Sequence, residues 1–147
     1  MSTPSNPFAS VARQPEDLHL ALADAFNRRD VDALLALYAE DATLVPTPGA
    51  AVTGTAALRK ALSGFLSLSP RETFVRTVSV VRAGDLALTQ SHWGMQGTQP
   101  DGANVVLDHH GVEVMRRQED GTWRFQIDDP FAGDAAAARG VNPMQRK

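Results

Sequence analysis

The sequence predicts a single α+β domain, with helices in its first half and an antiparallel sheet in its second. Three observations carry this. Apolar residues recur at helical spacing between 15 and 66, and four runs rich in Val, Thr and Phe follow between 72 and 129. Glycine-containing turns, two of them Asp-Gly, separate those runs. Helices first and a strand meander after is the pattern of one sheet with its helices gathered on one face.

The helices read in order. Pro15 suits a first-turn position, because proline needs no donor there, and Glu16 and Asp17 suit the positive end of the helix dipole. Leu18, Leu20, Leu22, Ala25 and Phe26 give the apolar spacing, which ends near Arg28 and Arg29. Asp30 is placed to cap a second short helix carrying Leu34, Leu35, Leu37 and Tyr38. Thr43 to Pro46 reads as a short extended piece. Gly54-Thr55 opens a third helix with Leu58, Leu62, Phe65 and Leu66 on one side.

Strands are expected at 72–82, 85–98, 104–119 and 122–129. Between them lie Ala83-Gly84-Asp85, Pro100-Asp101-Gly102 and Asp120-Gly121. Glycine supplies the positive φ of a tight hairpin turn, so Asp-Gly between alternating runs is a strong pairing signal. Residues 1–14 read as a flexible arm, 15–131 as the domain and 132–147 as a tail.

Size and composition bound the function. A chain of 147 residues fits one domain and needs no staples for its core. A net charge of −3 argues against nucleic-acid or anionic-membrane partners, which require a basic footprint. The absence of cysteine excludes disulfides and thiolate chemistry. No apolar run approaches the ~20 residues of a membrane span, and no signal pattern opens the chain, so a cytoplasmic protein is expected.

The turns also predict register. With Asp120-Gly121 as a two-residue loop, Glu113 faces Asp128. With Asp101-Gly102 as another, Gln90 faces Glu113. Gln90, Glu113 and Asp128 then form one row on one face, flanked by Leu88 and Met115 on one side and His92 on the other. A slip of one residue would move a strand's side chains to the opposite face. Two facing carboxylates in a dry site share a proton, leaving an acid beside a base near neutral pH. On a wet face both stay ionised. In a dry pocket, Glu113→Gln is expected to be neutral or stabilising for the fold. A structural Glu113, bound to a backbone amide or an arginine, predicts the reverse sign, and more so at pH 7 than at pH 4.

Other candidates point to packing. Adjacent His109 and His110 face opposite ways in a strand, and with His92 they provide no metal-like spacing, so no metal or cofactor is expected. Trp93 and Trp123 read as packing or interface residues. The single Tyr38 reads as a helix residue with a bonded hydroxyl, and as a possible ligand contact.

The stretch AFNRRDVDALLALYAEDATLVPTPG, the helix opening at GTAALRKAL, Gly84 to Leu88, Glu113 to Arg117, Asp120 to Arg124 and Asp128 to Pro130 resemble the nuclear transport factor 2-like superfamily. The resemblance covers residues 15–131 and is strongest to its SnoaL-like members. It implies a cone-shaped fold, three N-terminal helices packed on a curved, mostly antiparallel sheet, shared by ketosteroid isomerase, scytalone dehydratase, limonene epoxide hydrolase and the polyketide cyclases.

In that comparison Val112 to Arg116 looks like the isomerase strand whose acid donates a hydrogen bond to a developing oxyanion, and Glu113 stands at the acid's position. The isomerases carry their base in the first short strand. Here Thr43 to Thr47 holds no carboxylate, which argues against steroid isomerisation by that route.

Two functions follow as expectations. One is a cofactor-independent isomerase, dehydratase, cyclase or hydrolase for a small apolar or polyketide-like molecule. In it Glu113 or Asp128 shuttles a proton, and Gln90, His92, Tyr38, Met115 and Leu88 contact the ligand. The other is a non-catalytic ligand-binding or dimerisation module. A homodimer is expected in either case, through a sheet face carrying Trp93, Val112, Val114, Phe125 and Ile127.

Overall fold

A computed structural model describes residues 12–139. The elements are α1 (Pro15–Asn27), α2 (Val31–Leu35), β1 (Tyr38–Thr47), β2 (Ala50–Thr53), α3 (Thr55–Leu66), β3 (Glu72–Ala83), β4 (Leu86–Thr98), β5 (Asn104–Arg117), β6 (Trp123–Asp129) and α4 (Asp134–Arg139). The six strands form one sheet in the order β2-β1-β6-β5-β4-β3. All pairs are antiparallel except β1 with β6. The fold class is the expected α+β arrangement.

Local chemistry explains the elements. Pro15 opens α1, and the Asp17 carboxylate reaches back to accept from the Gln14 backbone N–H at 3.1 Å. Asp30 caps α2 by accepting from the Ala33 N–H at 3.0 Å. The buried face of α1 carries Leu18, His19, Ala21, Ala25 and Phe26, whereas Leu20 points outward. Leu34, Leu37, Leu44, Leu58, Leu62, Met95, Met115, Trp123 and Phe125 complete the core between helices and sheet.

Three expectations are corrected. Tyr38 is the first residue of β1, and not the end of α2, because the helix stops after Leu35 and the chain turns at Leu37. The extended piece at 43–46 is the middle of a ten-residue strand. The tail contains α4. The expected arm lies largely outside the described residues. Its last part is packed, with Ala12 buried and its carbonyl accepting from the Trp123 N–H at 2.9 Å.

The hairpins decide what faces inward. Both Asp-Gly loops are three-residue turns, Pro100-Asp101-Gly102 and Glu119-Asp120-Gly121. Gln99 bonds to Ala103, and Gln118 to Thr122, across their bases. The glycines have φ of 90° and 83°. Each aspartate Oδ1 accepts a backbone N–H two residues on, at 2.9 Å. Pro100 is preset for the first turn position and Gly102 takes the left-handed one, so the loop needs three residues.

The register of β4 on β5 therefore moves by one: Glu113 faces Thr89, and Gln90 faces Val112. On β6 the same displacement begins at Trp123 and is cancelled by a bulge at Gln126, so Glu113 does face Asp128. No helix among the described residues is long and apolar enough to cross a membrane.

Candidate active site

The inner face of the sheet carries Thr89 and Ser91 from β4, Glu113 from β5 and Asp128 from β6, all buried. The buried face of α1 lowers His19 onto this row. Glu113 gathers three partners. His19 Nε2 lies 2.7 Å from Oε1, Thr89 Oγ1 donates to Oε1 at 2.6 Å, and Ser91 Oγ donates to Oε2 at 2.7 Å. The other imidazole nitrogen, Nδ1, sits 2.6 Å from Thr77 Oγ1, which fixes the ring. Both oxygens of this carboxylate thus have a partner without water.

Asp128 is different. Among the described residues its one side-chain hydrogen-bond partner is the Tyr38 hydroxyl, which donates to Oδ2 at 2.6 Å. Burial pushes Asp128 up from 3.8 to about 7, and the neighbouring Glu113 charge adds to this. The Tyr38 hydrogen bond opposes the shift, and Asp129 adds a smaller upward push. Tyr38 is itself raised well above its ordinary value by burial and by the Asp128 carboxylate. Tyrosine thus stays a donor, and Asp128 exchanges its proton near neutrality.

These groups line a cavity of about 40 Å³. Tyr38, Ser91, Glu113 and Asp128 supply its polar end; Leu22, Phe26, Leu44, Leu62, Phe65, Val75, Trp93 and Met95 supply apolar wall. Leu44 pairs with Asp128 across the β1–β6 ladder. The Trp93 ring is held by its Nε1–H, which donates to the Pro130 carbonyl at 2.8 Å. Thr73 also lines the cavity, and its hydroxyl finds no hydrogen-bond partner among the described residues.

Of the residues expected at the site, Glu113, Asp128 and Tyr38 meet there. Met115 shares their face but is wholly buried in the core. Gln90, His92 and Leu88 do not reach the site; the one-residue shift of β4 puts them on the outer face. Leu88 is 47% exposed, and His92 stacks on His110 and lies 2.9 Å from Asp108. The same shift moves Trp93 inward, and the Gln126 bulge does so for Phe125. Neither belongs to the outer face. Among the described residues no group of three or more His, Asp or Glu side chains could hold a metal ion.

His19, Thr89 and Ser91 were missed. A signal for His19 existed: positions 18, 19, 22, 25 and 26 form one helical stripe, and a histidine inside such a stripe is buried. Thr89 and Ser91 depended on the three-residue form of the Pro100-Asp101-Gly102 turn.

Solved structures share this architecture. A ketosteroid isomerase-like protein from Erwinia carotovora atroseptica superposes with a TM-score of 0.68 at 23% identity, over 84% of this chain and 95% of the other. A candidate scytalone dehydratase from Novosphingobium aromaticivorans gives 0.66 at 18%, over 82% of each. A candidate aromatic ring hydroxylase from the same species gives 0.66 at 21%, over 87% and 90%. At these identities the likeness is one of fold. No curated protein matches the chain. The family model of the SnoaL-like domain matches residues 20–126, well over half of the sequence, and the chain belongs to that family.

Proposed function

We propose that the cavity takes the polar end of a small, largely apolar, uncharged molecule and that Asp128 moves a proton on it without a cofactor. The reaction is of the isomerase, dehydratase or cyclase type. The observation that carries this is a buried carboxylate pushed to about 7 beside a second acid, with one tyrosine as its partner. A group balanced there is half deprotonated at neutral pH, which suits a residue that takes a proton and returns it.

Glu113 and Asp128 divide the work. Glu113 is engaged by three side chains, and its charge helps hold Asp128 up. Asp128 then acts as base, removing a proton from a carbon beside a carbonyl, and delivers it back at a second position. Tyr38 keeps its proton, and its single O–H turns from Asp128 to the substrate oxygen as charge develops there. Among the described residues no lysine or arginine lines the cavity, which disfavours an anionic group at its polar end.

A second copy of the chain is the proposed partner. The outer sheet face lines up exposed Val81, Leu88 and Ile127 with Val114 in one row across β3 to β6, an apolar strip of the kind that covers itself by pairing.

The chemistry is tested by following deuterium exchange at the carbons flanking the carbonyl of a small cyclic enone by NMR. Wild type is expected to accelerate exchange, with a midpoint near pH 7; Asp128→Asn abolishes it, and Tyr38→Phe slows it and moves the midpoint up. Exchange that persists unchanged in Asp128→Asn defeats the reading.

A further inference from the structure

The inner cavity is too small for the molecule it is proposed to serve. A dry cavity of about 150 Å³ is what admits benzene, and this one offers about 40 Å³. Yet it presents Asp128, Tyr38 and a Thr73 hydroxyl without a partner among the described residues, on a residue only 6% exposed. Such a hydroxyl costs stability unless something bonds to it.

A second, larger space adjoins it. A groove of about 680 Å³ runs between α3 and the β1–β2 hairpin, walled by Pro46, Thr47 and Val52 on the hairpin and Ala57, Lys60, Ala61 and Gly64 on α3, with Lys60 its charged member. Phe65 lines both spaces. Its ring is half-buried at the end of α3 and meets Phe26 and Trp93 edge-on, at 6.2 and 6.5 Å between centroids. Phe65 is thus the lining residue that the two spaces share. Gly64 keeps the groove wide: a Cβ there would meet nothing within 4 Å, although glycine inside a helix weakens it.

We propose that the groove and the cavity are two halves of one ligand site, joined when Phe65 rotates. This rests on the reading of the cavity as the proton-handling end. The ligand is an uncharged ring carrying one hydroxyl or carbonyl and an apolar extension. The ring passes Phe65 and reaches Asp128 and Tyr38, Thr73 bonds to it on the cavity side, and the extension stays in the groove. Rotation of a half-buried ring about its side-chain bonds is a small motion, fast on the scale of turnover.

Phenol and para-hexylphenol are the probes, with binding read by calorimetry and by quenching of Trp93 in stopped flow. Trp123, remote from both spaces, is the internal control in a Trp93→Phe variant. Wild type is expected to bind para-hexylphenol about a hundredfold tighter than phenol, since the chain buries its methylenes in the groove. Gly64→Leu fills the groove from an open helical position without disturbing the core, and should abolish that advantage while phenol still binds. Phe65→Ala should speed association of both probes and Phe65→Trp slow it.

An affinity ratio unchanged by Gly64→Leu, association rates indifferent to Phe65, or no binding of either probe overturns the proposal. Asp128→Asn separates the two readings. If it weakens both probes alike and the groove advantage survives, both readings stand. If affinity and exchange ignore Asp128 while Gly64→Leu still acts, the proton chemistry falls and the two-part site remains.

Discussion

The Tyr38 hydroxyl donates to Asp128 at 2.6 Å, a buried side-chain bond between β1 and β6, the parallel pair of the sheet. It is also the main restraint on a carboxyl that burial drives toward neutrality. Structure and chemistry meet at that pair. The same burial that closes the core between β1 and β6 sets the acidity of the group available to a ligand.

Asp128 should make the fold less stable as pH rises. Its proton is held more tightly in the folded chain, to about 7, than in the unfolded chain at 3.8. Between those values the folded state binds more protons, so stability falls with increasing pH and levels off above about 7. The full shift corresponds to about 4 kcal/mol. Asp128→Asn keeps an acceptor for Tyr38 and removes the charge. It should match wild type near pH 4 and exceed it by up to that amount at pH 8. Urea melts across the range check this, and a wild-type-minus-Asn difference that does not grow with pH contradicts it.

Glu113→Gln carries the opposite sign. In a partly dry pocket opposite Asp128 the substitution is expected to be neutral or stabilising, but His19, Thr89 and Ser91 all bond to this carboxylate. Glutamine takes the charge out of three charge-assisted bonds and replaces one acceptor oxygen with a donor. The group facing that atom must then turn from donating to accepting. The cost should be about 2–4 kcal/mol, and His19→Ala should cost a similar amount by leaving Glu113 short of its partner. Loss of the Glu113 charge also removes an upward push on Asp128, whose titration, followed by carboxyl-carbon NMR, should move down. A Gln variant as stable as wild type, with Asp128 unmoved, refutes the arrangement.

The two Asp-Gly turns show what the sequence could and could not specify. Both were recognised as hairpins, and both take one residue more than a two-residue loop. At Asp120-Gly121 the Gln126 bulge restores the register, so Glu113 meets Asp128 as expected through two offsets that cancel. At Asp101-Gly102 nothing compensates, and Gln90, His92 and Leu88 lie on the wrong face for the site. The decisive residue was legible, since Pro100 before Asp-Gly favours the three-residue form. The bulge was not, because Phe125, Gln126 and Ile127 alternate as an unbroken strand would. His19 was legible from helical spacing alone. Its contact with Glu113, 94 positions away, depends on how α1 lies across the sheet.

Leu88 provides a test of pairing between copies. It and Val81 are partners across β3 and β4 on the outer face, both largely exposed, with Ile127 on β6 nearby in the sheet. Leu88→Lys places a charge in the middle of this patch without touching the cavity. Sedimentation velocity should show wild type as a dimer at micromolar concentration and the Lys variant as a monomer with an unchanged circular dichroism spectrum. A monomeric wild type removes the second copy from the proposal.

Gly111 makes the last prediction, because it is where the polar row leaves no room for a side chain. It precedes Glu113 on the same face of β5. A Cβ there would sit 2.5 Å from Glu113 Oε2, 2.7 Å from Ser91 Oγ and 3.3 Å from the Pro130 Cα. The first two atoms are bonded to each other at 2.7 Å, so neither can retreat without breaking that bond. The third is backbone. Gly111→Ala should therefore cost about 1–3 kcal/mol as a packing clash, with the loss of a buried hydrogen bond as part of it. Gly64→Ala is the matched control: a methyl there meets nothing within 4 Å, and it should stabilise α3 by up to about 1 kcal/mol. The two alanines should move the urea midpoint in opposite directions, and Gly111→Ala alone should disturb the Asp128 titration through the displaced Glu113. If Gly111→Ala melts like wild type and leaves Asp128 where it was, Glu113 is not pinned by Ser91, and the division of labour between the two acids fails with it.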